Sequence, residues 1–433
     1  MLKYNLLFFI SFFASTVVAQ ELLTMDKAIA IAIENNYDLR IAKNDIEIAR
    51  VEASASNNNY LPTVSASGGV SYSDETQNVT FSDGSLTSID GAVTESYNAS
   101  VTAEYLLFDG LVRKYTQDSN EENLNLAQLQ ERQQIENTVI DIYASFFNVA
   151  YQKQVVENLK LNIENSTDRL LRAQKQLKYG QGTTLDELNA QVDLNNDSIS
   201  YIEAFRDLKN LKRTLNLSLG RMITAEFEID TTVAFAATLK EQAMVEMAQQ
   251  NNIEIVLSKQ NILLSELNIK INRAQFLPKI SGSGSYNWNE NQNPPTSFAL
   301  ENESYGVNLG LNLTWNIFDG GNSTRVKTAK ITKQNREIEL ARVKDQLLTN
   351  VLNAYETYTI AQKTLRSEGK NVKTNELNFG RTQKQYSLGQ VTSLDFREAQ
   401  INLFNARNNY VRAKYDLKIA EIDLLQLSGT LLN

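Results

Sequence analysis

Two periodicities alternate along the chain. From about Thr24 to Asn57 there is no Gly or Pro, and apolar residues recur at helical spacing: Ile29, Ile33 and Leu39, then Ile41, Ile46 and Ile48. This predicts a helix. The Leu61-Pro62 pair closes the region, because a residue before Pro is driven out of the helical conformation. The period then drops to two. Val64, Ala66, Gly68, Val70 and Tyr72 alternate with Ser and Gly, and Tyr97, Ala99, Val101, Ala103, Tyr105 and Leu107 alternate with Asn98, Ser100, Thr102 and Glu104. Two strands are expected, joined by a polar loop over 74–94. After Phe108-Asp109-Gly110 the helical period returns, and residues 111–179 hold neither Gly nor Pro. A helix of that length spans roughly 100 Å.

The whole plan then recurs. "AIENNYDL" from Ala32 answers "AQQNNIEI" from Ala248, and "YLPTVSASGGVSY" from Tyr60 answers "FLPKISGSGSYNW" from Phe276. "YLLFDGLVRKY" from Tyr105 answers "WNIFDGGNSTR" from Trp315. Matches that keep their order over the full length mark an internal duplication. The second copy predicts a helix over 239–275, strands including Tyr305 to Ile317, a loop over 289–302, and a long helix over 322–388 with soft points at Gly369 and Gly380. Each long helix should end at a glycine turn, "YGQGTTLD" from Tyr179 and "YSLGQVTSLD" from Tyr386. Return helices over 183–219 and 391–428 follow, capped by Thr183, Thr184, Thr392 or Ser393. Leu185, Leu188, Val192, Ile199 and Ile202, and Leu394, Ile401, Leu417 and Leu424, have the spacing of coiled-coil seams. A short strand is expected at "FEID" from Phe227.

The strands run to ten or more residues with aromatic ends (Tyr72, Tyr97, Tyr286, Trp288, Tyr305, Trp315), as membrane-spanning strands do. A soluble sandwich with one wet face is the alternative. Lys3, the apolar run Leu6–Val18 and the small residues before Gln20 read as a signal peptide. Four strands are too few for a barrel, so the barrel must be shared between chains. The expected organisation is a signal peptide over 1–19, a first repeat over 20–220, a linking equatorial segment over 221–238, and a second repeat over 239–433.

Composition narrows the chemistry. The chain has no Cys and no His. That removes disulfides, thiolate nucleophiles, and the commonest general base and transition-metal ligand. With no Gly-rich phosphate loop either, an enzyme is not expected, nor a cofactor or metal. Net charge of -9 argues against a nucleic-acid partner. Asp109 and Asp319 are expected as helix caps at the strand-to-helix junctions.

On the repeat, the paired Leu-Pro strand starts, the "LFDG" and "IFDGG" junctions and the stretch from Tyr386 to Gly429, the sequence resembles the TolC-like outer-membrane efflux proteins. The resemblance implies a homotrimer of mixed α and β structure: a twelve-stranded transmembrane β-barrel, four strands per chain, continuing into a long periplasmic coiled-coil barrel. It implies outer-membrane lipid around the barrel, and a periplasmic adaptor and an inner-membrane pump as partners. The function implied is the passive exit duct of an efflux or type I secretion system; the competing reading is a coiled-coil structural protein without a pore. The family's closing constriction falls on Asp395 and Glu398, with closing links at Tyr386 and Asp186, while the position of the family's linking Arg holds Val391. The adaptor-docking turns fall on Gly182, Thr183, Gly389 and Thr392. Asp186 and Asp395 also sit where an acidic residue complements a helix dipole.

Overall fold

A computed structural model describes residues 22–54, 60–236, 239–294 and 297–432. The expected signal peptide lies outside these residues. The chain divides into two compact units: one gathers residues up to Arg40, Gln134–Gln250 and Leu348–Asn433, the other Ile41–Gln133 and Asn251–Leu347.

The elements in chain order are β1 (Leu22–Leu23), α1 (Met25–Asn35), α2 (Tyr37–Glu52), β2 (Thr63–Thr80), β3 (Leu86–Phe108), α3 (Val112–Lys178) and α4 (Thr184–Ser218). After these come β4 (Glu228–Ile229), α5 (Glu241–Asn251), α6 (Ile253–Ala274), β5 (Lys279–Gln292), β6 (Glu301–Thr314), α7 (Gly320–Ser387) and α8 (Ser393–Leu427).

Three expectations are corrected. The first helix of each copy is broken, between α1 and α2 at Asn36 and between α5 and α6 at Asn252. At each break the Asn backbone is extended, and its side chain accepts the N–H groups that open the next helix, Asp38 and Leu39 in the first copy and Glu254 in the second. A short amide that competes for backbone N–H groups interrupts a helix without Gly or Pro. The polar segment expected as a loop over 74–94 is instead paired backbone, Ser73↔Thr94 to Thr80↔Leu86, with a turn only at Phe81–Ser85. In the second copy β5 runs on to Gln292, and β6 stops at Thr314, so Trp315 leaves the strand and its indole N–H donates to the Phe276 carbonyl at 3.0 Å. Third, the large apolar residues of α4 do not form its seam within the chain. Leu185, Leu188, Val192, Ile199 and Ile202 are exposed, while Ala190, Asp197, Ala204, Leu208 and Leu215 are buried. Gly369 and Gly380 lie inside an unbroken α7.

In the second unit, β2, β3, β5 and β6 form one antiparallel sheet in the order β2-β3-β5-β6. Its register keeps like with like. Ala66, Val101, Tyr286 and Val307 share one row, and Gly68, Ala99, Trp288 and Tyr305 the next. On the opposite face, Ser65, Thr102, Ser285 and Asn308 share a row, as do Ser67, Ser100, Asn287 and Gly306. Period-two alternation in all four strands fixes this register, because a one-residue slip would mix the faces. At the first junction Asp109 accepts the Arg113 N–H at 2.7 Å, and the Arg113 guanidinium donates to the Leu106 carbonyl and stacks over Tyr60. The turn needs φ 73° at Gly110, where a Cβ would stand 2.5 Å from the Ala274 carbonyl oxygen. At the second junction Asp319 accepts the Gly321 N–H at 2.8 Å.

In the first unit the core gathers Leu23, Ala28 and Ala32 with Ile142, Phe146, Phe147 and Val149, and with Leu215, Leu219, Phe227, Ile229 and Tyr415. β1 and β4 pair in parallel within it, so the segment from Phe227 does supply the expected short strand. α8 clasps the chain after β4: Lys414 Nζ donates to the Thr231 carbonyl at 3.1 Å, and the buried Glu421 accepts the Ala236 N–H at 3.1 Å and pairs with Lys418 at 2.5 Å.

Candidate functional site

The two turns between long and return helices are built alike, all within the first unit. α3 ends with the Gly180 N–H on the Leu177 carbonyl and the Gln181 N–H on the Gln176 carbonyl, with Gly180 at φ 70°. α7 ends with the Gly389 N–H on the Tyr386 carbonyl and the Gln390 N–H on the Gln385 carbonyl, with Gly389 at φ 74°. Both are glycine-terminated helix ends in which the left-handed residue frees the chain to reverse. The first turn's left-handed position is Gly180, two residues before Gly182. Gly182 packs against the last turn of α3, where a Cβ would lie 3.0 Å from the Gln176 Cβ.

Each turn delivers a threonine and an aspartate to the next helix. Thr183 and Asp186 form a reciprocal capping box at the start of α4, and Thr392 and Asp395 repeat it on α8. In both boxes the carboxylate accepts the Thr hydroxyl at 2.6 Å and the Thr N–H at 3.1 Å or 2.9 Å. Hydrogen bonds from the Thr side chain, then from its backbone, hold both carboxyls below the usual range. Within one chain these carboxylates are therefore occupied as caps. Glu398 lies one turn beyond Asp395, and both are exposed.

Tyr386 is buried. Its ring stacks on Phe396 at 4.9 Å, and the guanidinium of Arg172 lies 4.7 Å from the ring centroid on α3's side. Arg172 also donates to the Ser387 carbonyl at 2.8 Å. The arginine that binds the second turn is therefore one from α3.

Deeper from the turns lies a buried polar layer that the sequence did not single out. Arg397 of α8 makes a two-pronged ion pair with Asp197 of α4, at 2.6 and 2.8 Å, and lies 3.8 Å from Asp193. Arg169 of α3 pairs with the same Asp193. Ser166 donates to Asp197 at 2.5 Å, and Gln400 donates to Asn162 and Ser166. Burial opposes the Arg397 charge, but the hydrogen bonds and charge of Asp197 outweigh it and raise its pKa. Asp197, Arg169, Ser166 and Gln400 are all under a tenth exposed. A cleft of about 420 Å³ opens beside this layer, lined by Arg169, Asp186, Asp193, Thr392, Leu394 and Arg397. The layer joins the second hairpin to both helices of the first. It holds helices together, with its carboxylates paired to Arg169 and Arg397. Among the described residues no group of three or more acidic side chains is placed to hold a metal ion.

A sequence profile of the outer membrane efflux proteins matches residues 28–221 and 244–430. The chain belongs to the outer membrane efflux protein family. It is 22% identical over 322 residues to outer membrane protein TolC of Vibrio cholerae, covering 72% of each chain. It is 22% identical to cation efflux system protein CusC of Escherichia coli O157:H7, covering 92% of this chain and 84% of that one. The Campylobacter jejuni CmeC outer membrane channel superposes with a TM-score of 0.75 over 94% of this chain and 86% of that one, at 15% identity. As an outer membrane efflux protein, the chain is an exit duct that spans the outer membrane and extends into the periplasm. It is not an enzyme.

Proposed function

We propose that three copies of this chain close one twelve-stranded barrel, and that the duct is gated at the periplasmic turns of α3–α4 and α7–α8. The observation that carries the reading is the sheet of the second unit. Among the described residues it has four strands, one apolar face, one polar face, and outer edges at β2 and β6. Unpaired edges cannot stand in lipid, where every backbone group needs a partner. Edge pairing of β6 with β2 of the next copy removes both edges at once. The exposed stripe on α4, from Leu185 to Ile202, supports the same assembly, since it has coiled-coil spacing and needs a helix of another copy to cover it.

Asp395 and Glu398 are exposed at the second turn, where three copies would set six carboxylates around one axis. Asp186 and Thr183, with Gly182, shape the first turn, and Thr392 and Gly389 the second; these are the surfaces for a periplasmic adaptor. An inner-membrane pump would supply the energy. Relatives are named for cation efflux and for alkaline protease secretion, so the cargo does not follow from the family.

The test is reconstitution of the purified full chain in planar bilayers, beside electrophoresis without heating. The reading requires a detergent-resistant trimer and a low-conductance pore that Asp395→Asn with Glu398→Gln makes larger and less cation-preferring. A monomer without conductance overturns the assembly. A pore whose conductance and selectivity ignore the double substitution removes those residues from the gate.

A further inference from the structure

The polar face of the sheet carries almost no charge. Across its four-stranded part, from Thr63 to Tyr72 on β2 and the residues paired with them, every polar-face position is Ser, Thr, Asn or Gly except one. The exception is Glu104, which shares a row with Thr63, Ser283 and Gly310. Strand parity places the sheet's other carboxylates in this part, Glu95, Glu290, Glu301 and Glu303, on the opposite face. The basic residue on Glu104's face is Lys279, at the end of β5 nearest the helices and four residues before Ser283. That is roughly 13 Å along the strand, beyond the screening length of about 8 Å at physiological salt. No Lys or Arg occurs over 51–112 or 280–324.

From this isolation we propose that Glu104 is a specificity-determining residue of the duct, forming a carboxylate ring inside the barrel that favours cationic and neutral solutes over anions. The inference rests on the barrel reading above. In a membrane barrel the apolar face meets lipid, so the polar face lines the bore. Three copies then place three Glu104 carboxylates at one level of the pore, and hydroxyl and amide neighbours neither neutralise nor replace them. Rings of carboxylates set cation preference in channels by this means. The ring acts independently of the turn residues, because it belongs to the sheet.

The experiment is the reversal potential of the full-length channel in a KCl gradient, with wild type, Glu104→Gln, and Glu104→Gln combined with Ser283→Glu. The last variant returns a carboxylate to the same row from the neighbouring strand. Screened interaction of one ion with three charges about 10 Å away predicts that Glu104→Gln lowers the potassium-to-chloride permeability ratio roughly fourfold. The Ser283→Glu combination should restore most of it. Unchanged selectivity in Glu104→Gln overturns the proposal while leaving the duct intact. So does failure of the second carboxylate to restore a lost preference. A wild type that conducts nothing overturns the barrel reading, and the ring with it.

Discussion

Arg397 offers the sharpest test of how the turn region is held. Its guanidinium spans α4 and α8 through two hydrogen bonds to Asp197, and that ion pair is shielded on both sides: the side chains are 14% and 8% exposed. Arg397→Met keeps the apolar stem and removes the guanidinium, which strands the Asp197 charge with one Ser166 hydroxyl. Removing one partner of a buried pair costs about 3–5 kcal/mol. Because Arg397 retains some water contact, the lower figure, about 3 kcal/mol, is the expectation. That is roughly a hundredfold in the equilibrium between docked and undocked α8. Amide hydrogen exchange read by mass spectrometry over the start of α8 should quicken by about that factor if local opening governs exchange. Asp197→Asn alone should cost less, since the amide still accepts hydrogen bonds. The double variant should cost clearly less than the sum of the two, because the pair is one interaction. Strictly additive effects, or exchange on α8 that changes less than about threefold, would refute the reasoning that this layer clamps the second hairpin to the first.

Three other outcomes follow from separate features. Asp186 and Asp395 have lowered pKa values in the folded chain, so their capping contributes above the unfolded carboxylate value of about 3.9 and is lost as pH falls through the lower folded values; the exchange protection factors of the turn region, which remove the intrinsic pH dependence of amide exchange, should be flat from pH 7 to 5 and fall only below about pH 4. Lys418→Met leaves Glu421, 1% exposed, without its cation, and a loss of about 3–5 kcal/mol should appear as a lower thermal midpoint, with Lys418→Arg restoring most of it. Gly110→Ala puts a methyl against the Ala274 carbonyl at a left-handed backbone position, so the yield of folded protein in detergent should fall sharply, while Gly320→Ala, where nothing lies within 4 Å of the added carbon, should be tolerated.

The alternation of Val64–Tyr72 and of Tyr305–Leu313 was readable because period two needs only the two faces to differ, and here they differ at nearly every position. The long helices were readable because nothing in 112–178 breaks them. The breaks at Asn36 and Asn252 were hidden, since Asn ends a helix through a side-chain hydrogen bond and not through a backbone restriction. Their signal was present as the shared Asn-Asn with an acid two residues on. The paired backbone beyond Tyr72 was hidden because Asp74, Glu75 and Ser73 have the composition of a loop, and only the partner strand makes them a ribbon. The Arg397 layer escaped for another reason: its members are some 200 residues apart, and in "LDFREAQ" an Arg reads as a solvated face. The clue lay in Asn162, Ser166 and Arg169, polar residues at coiled-coil spacing where apolar ones are usual. Thr183 and Thr392 were among the expected caps, but the reciprocal bond from Asp186 and Asp395 and the stacking of Tyr386 on Phe396 needed coordinates.

The ribbon formed by the outer ends of β2 and β3 has a practical consequence. Its turn, Phe81–Ser85, lies at the end of the sheet opposite the connections to α2 and α3. On the barrel reading proposed above, that turn faces the outside of the cell. Gly84 there has φ 87° and empty space around it, and insertions are best tolerated at such exposed tips. A short peptide tag placed after Asp83 would be readable by an antibody on intact cells. In a chain with no cysteine, a single thiol at the same turn would take a fluorophore added from the medium and report assembly in living bacteria.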